Sequence, residues 1–239
     1  MVVKSELKLI KSLQQKKCRN EHGLFVIEGK KAVEELLNFG VKVYGVYVSN
    51  VNLDVLHTKT INVSQKELQQ MSALKNPNGV LGVFYTLAPV SVDFNDWILV
   101  LDGVQDPGNL GTIIRLCDWF GIKNIVCSNE TVDCYNPKVL QATMGSIARI
   151  NITYTDLELF LGATSLPIFG SFMNGTSVYT NQMPKSGILV MGNEGKGISA
   201  EVKNLCSHQI SIPQYGKETT ESLNVGTATA ILLNELRRI

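Results

Sequence analysis

The 239-residue sequence is poor in the groups that announce many enzymes. Its three histidines, His22, His57 and His208, lie far apart and match no ligand spacing, so neither a histidine-centred base nor a histidine-bound metal is expected. The five cysteines, Cys18, Cys117, Cys127, Cys134 and Cys206, are odd in number and form no C-x-x-C pair. That pattern speaks against a zinc cluster and a disulfide framework, and for buried, reduced thiols. No apolar run reaches the roughly 18 residues of a membrane-spanning helix. The start, MVVKSELKLIKSLQQKK, lacks the apolar stretch of a signal peptide, so a cytoplasmic protein with no membrane or metal partner is expected.

Two nucleotide signatures are missing as well. ILVMGNEGKGIS (188–199) has the outline of a phosphate loop, an apolar run followed by a glycine-rich turn. A Walker A loop needs four residues between its first glycine and the G-K pair, then Ser or Thr. Here Asn193 and Glu194 alone separate Gly192 from Gly195-Lys196, and Gly197 takes the hydroxyl position. The dinucleotide spacing G-x-G-x-x-G is reversed, and it comes late in the chain. A tight turn needing glycine for positive φ is always available, but it leaves Asn193 and Glu194 unexplained.

What is present is a globular composition, 44% hydrophobic and 18% charged, with an uneven charge distribution. Residues 1–31 hold eight Lys/Arg against three Asp/Glu, residues 32–92 four against four, and residues 93–239 ten against fourteen. A basic first segment on a mildly acidic body suits an anionic partner, and equally a solvated helix face.

Helix spacing covers residues 5–17 and KAVEELLNF (31–39). Ser64 opens S-Q-K-E, a capping box starting a helix to about Met71. GLFVIEG, VYGVYVS and VLGVFYTL read as strands. APVSVDFND has no periodicity, so the expected layout is one domain at 1–88, a linker at 89–96 and a second domain at 97–239. WILVLDG reads as a strand buried on both faces, and strand and helix signals then alternate to a last helix from about Asn224 to Arg237, which implies a parallel α/β sheet.

Ligands of open α/β sheets bind at the carboxyl ends of strands. Three such ends carry polar residues: LDGVQDPGNLGTIIR with Asn109 and Arg115, VMGNEGKGIS with Glu194, and ISIPQYGKETTESLNVGTATAILLNEL with Ser222 and Asn224. Taken singly, Asn109, Ser222 and Asn224 read as helix N-caps. Taken together, the five form a polar set without histidine, paired cysteine or metal cluster, which suits chemistry carried by a reactive cofactor.

At these loops the sequence resembles the SpoU (TrmH-like) family of RNA ribose 2′-O-methyltransferases of the SPOUT superfamily. The first family motif resembles DPGNLGTIIRLCDWFG, the second ILVMGNEGKGIS and the third ISIPQYGKETTESLNVGTATAILLNEL. KKCRNEHGLFVIEGKKAVEELL (16–37) is similar to the family's accessory RNA-binding domain. Gly226, Thr227 and Gln214 depart from the usual residues without touching the polar set.

The resemblance implies a C-terminal SPOUT domain with a deep trefoil knot behind a small α/β sandwich domain, S-adenosylmethionine as cofactor, and a homodimer sharing catalytic groups across its interface. It implies Arg115, Asn109, Glu194, Ser222 and Asn224 as catalytic residues and Gly192, Gly195, Ile212 and Leu223 as the cofactor pocket. Lys16, Lys17, Arg19, Lys30 and Lys31 are then candidates for RNA phosphates, with ribosomal RNA as substrate. Transfer RNA, an antibiotic-resistance role, and a non-catalytic RNA-binding or ribosome-assembly factor are the alternatives.

Overall fold

A computed structural model describes residues 2–49, 55, 57–180, 182–216 and 222–238. The chain forms two compact units, one of Met1–Ala88 with Asp133–Ala148, the other of Pro89–Val132 with Arg149–Ile239.

In the first unit, β1 (Leu24–Glu28), β2 (Val43–Val48), β3 (Thr60–Asn62) and β4 (Val80–Tyr85) form a sheet of order β1-β4-β2-β3. β4 runs antiparallel to both β1 and β2, and β3 adds parallel to β2. Strand β3 is not evident in the sequence, because three residues carry too little pattern and are held by pairing with Val46–Val48. The helix expected at 5–17 is two helices, α1 (Lys4–Ser12) and α2 (Lys16–His22). Arg19 explains the break. Its guanidinium donates to the carbonyls of Leu13 and Gln14, both at 2.9 Å, and so satisfies groups that a continuous helix would have paired internally. The same guanidinium pairs with Asp133 at 2.5 Å. Helix α3 (Lys30–Asn38) buries Ala32, Val33 and Leu36, and α4 (Gln65–Met71) starts at the expected capping box of Ser64 and Glu67. Ile10, Leu13, Tyr47, Leu68, Met71 and Leu81 make the core beneath α1 and α4.

Asp133–Ala148 lies inside the stretch expected as the second domain, yet packs in this unit. It carries α6 (Pro137–Thr143), which lies on β1, and Tyr135, whose ring centroid is 4.8 Å from that of Phe25.

The second unit is the expected parallel sheet. Its strands β5 (Trp97–Asp102), β6 (Asn124–Cys127), β7 (Asn151–Tyr154), β8 (Ile168–Ser177), β9 (Gly187–Gly192) and β10 (His208–Ser211) lie in the order β10-β8-β9-β5-β6-β7. Every pairing is parallel. β5 and β9 form the centre, and their apolar residues are buried, as strands covered on both faces must be. The helices are α5 (Pro107–Phe120), α7 (Leu157–Gly162), α8 (Ala200–Leu205) and α9 (Val225–Leu236). α9 directs Val225, Ala228, Thr229, Leu232, Leu233 and Leu236 into its own unit and packs on α5. The expected linker is tied to this unit: Phe94 stacks on Phe160, and Asp96 makes a two-pronged pair with Arg237 at 2.7 and 2.8 Å. Among the described residues no helix is long and apolar enough to cross a membrane.

Candidate active site

Register brings the motifs together. β5 and β9 are neighbours with Asp102 opposite Gly192, so the loops leaving them emerge side by side. The loop after β5 enters α5 through Asp106, whose carboxylate accepts from the amide of Asn109 at 2.8 Å, with Pro107 at the first helical position. Asp106 is therefore the N-cap. Asn109, readable as a cap from sequence, sits at the third helical position with its side chain released.

The turn after β9 is closed by its own asparagine. Asn193 and Gly197 exchange two backbone hydrogen bonds of 2.9 Å. The Asn193 carboxamide oxygen accepts from the amides of Gly195 (2.9 Å) and Lys196 (3.0 Å), and its NH2 donates to the carbonyl of Gly103 at 2.6 Å. The amides that a phosphate would need are thus consumed within the turn. Positive φ is needed at Gly197 (70°). Gly192 is needed for another reason, since a Cβ there would run into the backbone of Gly197 and Ile198. Sequence reasoning assigned no role to Asn193 or Asp106. The signals were there, in an asparagine preceding a turn and an aspartate preceding proline.

One hydrogen-bonded chain joins all three motifs. Asn224 caps α9, its side-chain oxygen accepting from the amides of Gly226 (3.0 Å) and Thr227 (3.2 Å). That fixes its NH2 as donor to the Asn109 oxygen at 2.8 Å. The Asn109 NH2 is then left to donate to Glu194 at 3.0 Å. Glu194 also accepts from the amides of Gln105 and Asp106, both at 3.3 Å, at the start of α5. Burial opposes ionisation of this carboxyl, but the hydrogen bonds from Asn109 and the backbone amides outweigh it and hold the pKa below the usual carboxylate value.

Arg115 and Ser222 stand outside this chain. Arg115 is exposed and, among the described residues, makes no side-chain hydrogen bond or ion pair. It lies six residues after Asn109, about 9 Å along the helix and about a third of a turn round it. Gly108, Thr112, Arg115 and Trp119 form an exposed stripe on α5, and Trp119 is 83% exposed. Ser222 is exposed beside the cap. Of the pocket candidates, Gly192 precedes the closed turn and Gly195 lies within it, Ile212 is half-buried just after β10, and Leu223 is exposed just before α9. Residues 217–221 of the third motif lie outside the described residues. Among the described residues, no group of three or more His, Cys, Asp or Glu is gathered to hold a metal ion.

The N-terminal cations divide. Lys16, Lys17 and Lys31 are exposed, and Lys30 faces Glu34 at 3.6 Å. Arg19 is 3% exposed, and its two terminal nitrogens are engaged with Leu13, Gln14 and Asp133. That corrects its reading as a phosphate contact: it braces the α1–α2 junction.

A parallel α/β unit with a polar cluster assembled from three strand-end loops is the architecture of an enzyme that holds a reactive cofactor at the carboxyl edge of its sheet. Residues 96–234 match the SpoU rRNA methylase family, and residues 4–82 match the MRM3-like substrate-binding domain. The chain belongs to the SpoU rRNA methylase family. It is 30% identical over 235 residues to the Bacillus subtilis 23S rRNA (guanosine(2553)-2′-O)-methyltransferase RlmP, covering 95% of this chain and 94% of that one. A TrmH-family protein from Porphyromonas gingivalis superposes with a TM-score of 0.89 at 33% identity, over 99% of this chain and 98% of that one. An AdoMet-bound rRNA methyltransferase from Sinorhizobium meliloti gives 0.86 at 31% identity, over 99% and 95%.

Proposed function

We propose that this chain is a cytoplasmic enzyme that transfers the methyl group of S-adenosylmethionine to a ribose 2′-hydroxyl of ribosomal RNA. The observation that carries the reading is the Asn224–Asn109–Glu194 chain, which links the three motifs at one edge of the sheet. The relatives named as 23S rRNA 2′-O-methyltransferases and the AdoMet-bound neighbour support it.

The residues fit the cofactor. The turn after β9 is uncharged at Gly192 and Gly195, and a Cβ on Gly195 would meet only the Asn193 side chain, at 3.7 Å, so one face of the turn stays open. Ile212 and Leu223 offer apolar surface for an adenine ring at the ends of β10 and the last loop. When bound, S-adenosylmethionine supplies an electrophilic methyl group on a sulfonium. The protein's part is to align the hydroxyl and to tolerate the charge that develops on its oxygen.

Glu194 is a carboxylate at neutral pH, engaged by three donors, so it orients Asn109 and the α5 entry rather than moving a proton. Arg115 presents a planar cationic guanidinium that offers donors and no acceptor. Its role is to bind the RNA phosphate and offset alkoxide charge. Its outward position beside Trp119 supports action on the site of a second copy in a homodimer. Ser222, beside the Asn224 cap, contacts the ribose. The deep trefoil knot belongs to the same proposal, with the loops after β9 and β10 as its cofactor-binding part. Lys16, Lys17 and Lys31, with Lys30 beside Glu34, hold RNA phosphates on the accessory unit.

The test is transfer of a tritiated methyl group to total RNA, followed by alkaline hydrolysis. A 2′-O-methyl ribose leaves one labelled linkage uncut in ribosomal RNA. Label recovered in alkali-released mononucleotides, as base methylation would give, or no label in any RNA, would overturn the reading.

A further inference from the structure

The first unit carries a concave feature that the transfer chemistry does not use. It is a cavity of about 200 Å³ bounded by the end of α1, the edge of β1, the turn after α4, and α6. β1 is an edge strand, so among the described residues one side of its backbone has no strand partner. The walls include Leu13, Ile27, Met71 and Leu140, all nearly or fully buried, and the rim carries the exposed Lys75 and Lys138. Glu28 is its acidic member. That carboxylate accepts from the Ser72 hydroxyl at 2.5 Å and the Ala73 amide at 2.8 Å, which pins the turn forming one wall.

We propose that this cavity receives a single unstacked nucleobase of the RNA substrate. The proposal rests on the methyltransferase reading above and names a recognition subsite within it. A nucleobase has two apolar faces and a polar edge, flanked by phosphates. The cavity presents the complementary set: apolar walls for the faces, a strand edge and the Glu28 carboxylate for the polar edge, and two lysines at the mouth for the phosphates. Lys16 and Lys17, both exposed, follow Gln14, another lining residue, by two and three positions. An apolar side chain of a protein partner would fill the same walls but would leave the lysines without counter-charges.

The test uses full-length protein and 23S ribosomal RNA transcribed with 4-thiouridine or 6-thioguanosine, irradiated and mapped by peptide. Crosslinks are expected on the peptides carrying Leu74–Lys75 and Lys138–Gln141. Gln141→Trp, on the exposed side of α6, fills the mouth and should abolish those crosslinks. Lys75→Ala with Lys138→Ala changes only surface charge, and should weaken RNA binding about tenfold at low salt with a shallower salt dependence. Crosslinks that map elsewhere, or that persist unchanged in Gln141→Trp, overturn the subsite. So does unchanged affinity in the double lysine variant. The crosslinks do not depend on turnover, so failure of wild-type protein to methylate RNA would count against the enzymatic reading and leave the subsite separately decided.

Discussion

Asn109 has only one way to hold its amide. Its neighbour Asn224 must present its oxygen to the α9 backbone, so polarity runs in one direction to Glu194. Asn109→Asp would replace the NH2, 3.0 Å from Glu194, by a second carboxylate oxygen. We expect a lower melting temperature at pH 7, partly recovered at acid pH, and loss of transfer; calorimetric melts across pH read this. Glu194 itself has a folded pKa below its unfolded value of about 4.3. Its contribution to stability is therefore complete above the unfolded value and fades as pH falls through the lower folded one. Glu194→Gln should flatten the stability profile only below about pH 5, and slightly, because the group is exposed. The glycines separate by the same logic. Gly192→Ala should destabilise the fold, since backbone occupies the Cβ site. Gly195→Ala should melt like wild type and, if it lines the cofactor pocket as proposed, bind S-adenosylmethionine less tightly in titration calorimetry.

At the level of elements, local signals were legible wherever local chemistry decides. The Ser64–Glu67 box, the α3 apolar face and the doubly buried β5 all follow from short spacings. The α1–α2 break does not, because Arg19 makes it by reaching back to Leu13 and Gln14 and across to Asp133, a partner 114 residues away. Nor does Asp133–Ala148 advertise its place, since α6 has its own cap and says nothing of which sheet it covers. Arg19→Ala should cost about 3 kcal/mol, the usual penalty for breaking a buried pair, measurable by urea denaturation. Replacing Lys16, Lys17 and Lys31 together should leave stability unchanged, weaken RNA binding and reduce its salt slope by about one unit for each phosphate no longer neutralised.

For the whole molecule, the parallel sheet was readable from alternation and the gathering of polar residues at its strand ends was expected, but which of them join was not readable. It depends on β9 lying beside β5 and on α9 lying against α5, neither of which the order of elements dictates. The same arrangement leaves Arg115 and Trp119 outward while the apolar face of α9 is spent on its own core. In the proposed homodimer, Trp119→Glu is therefore expected to give folded monomers with little transfer activity, read by light scattering and methyl incorporation. The central claim is that the chain holds S-adenosylmethionine with its turn and final loops while Arg115 serves the reacting ribose. Its most direct test is Arg115→Ala, measured for cofactor affinity by calorimetry and for single-turnover methyl transfer. Cofactor affinity should stay within about threefold while the rate falls by about 100-fold or more, the loss typical of removing one charge-stabilising donor. Cofactor affinity lost along with activity, or a rate left near wild type, would contradict it.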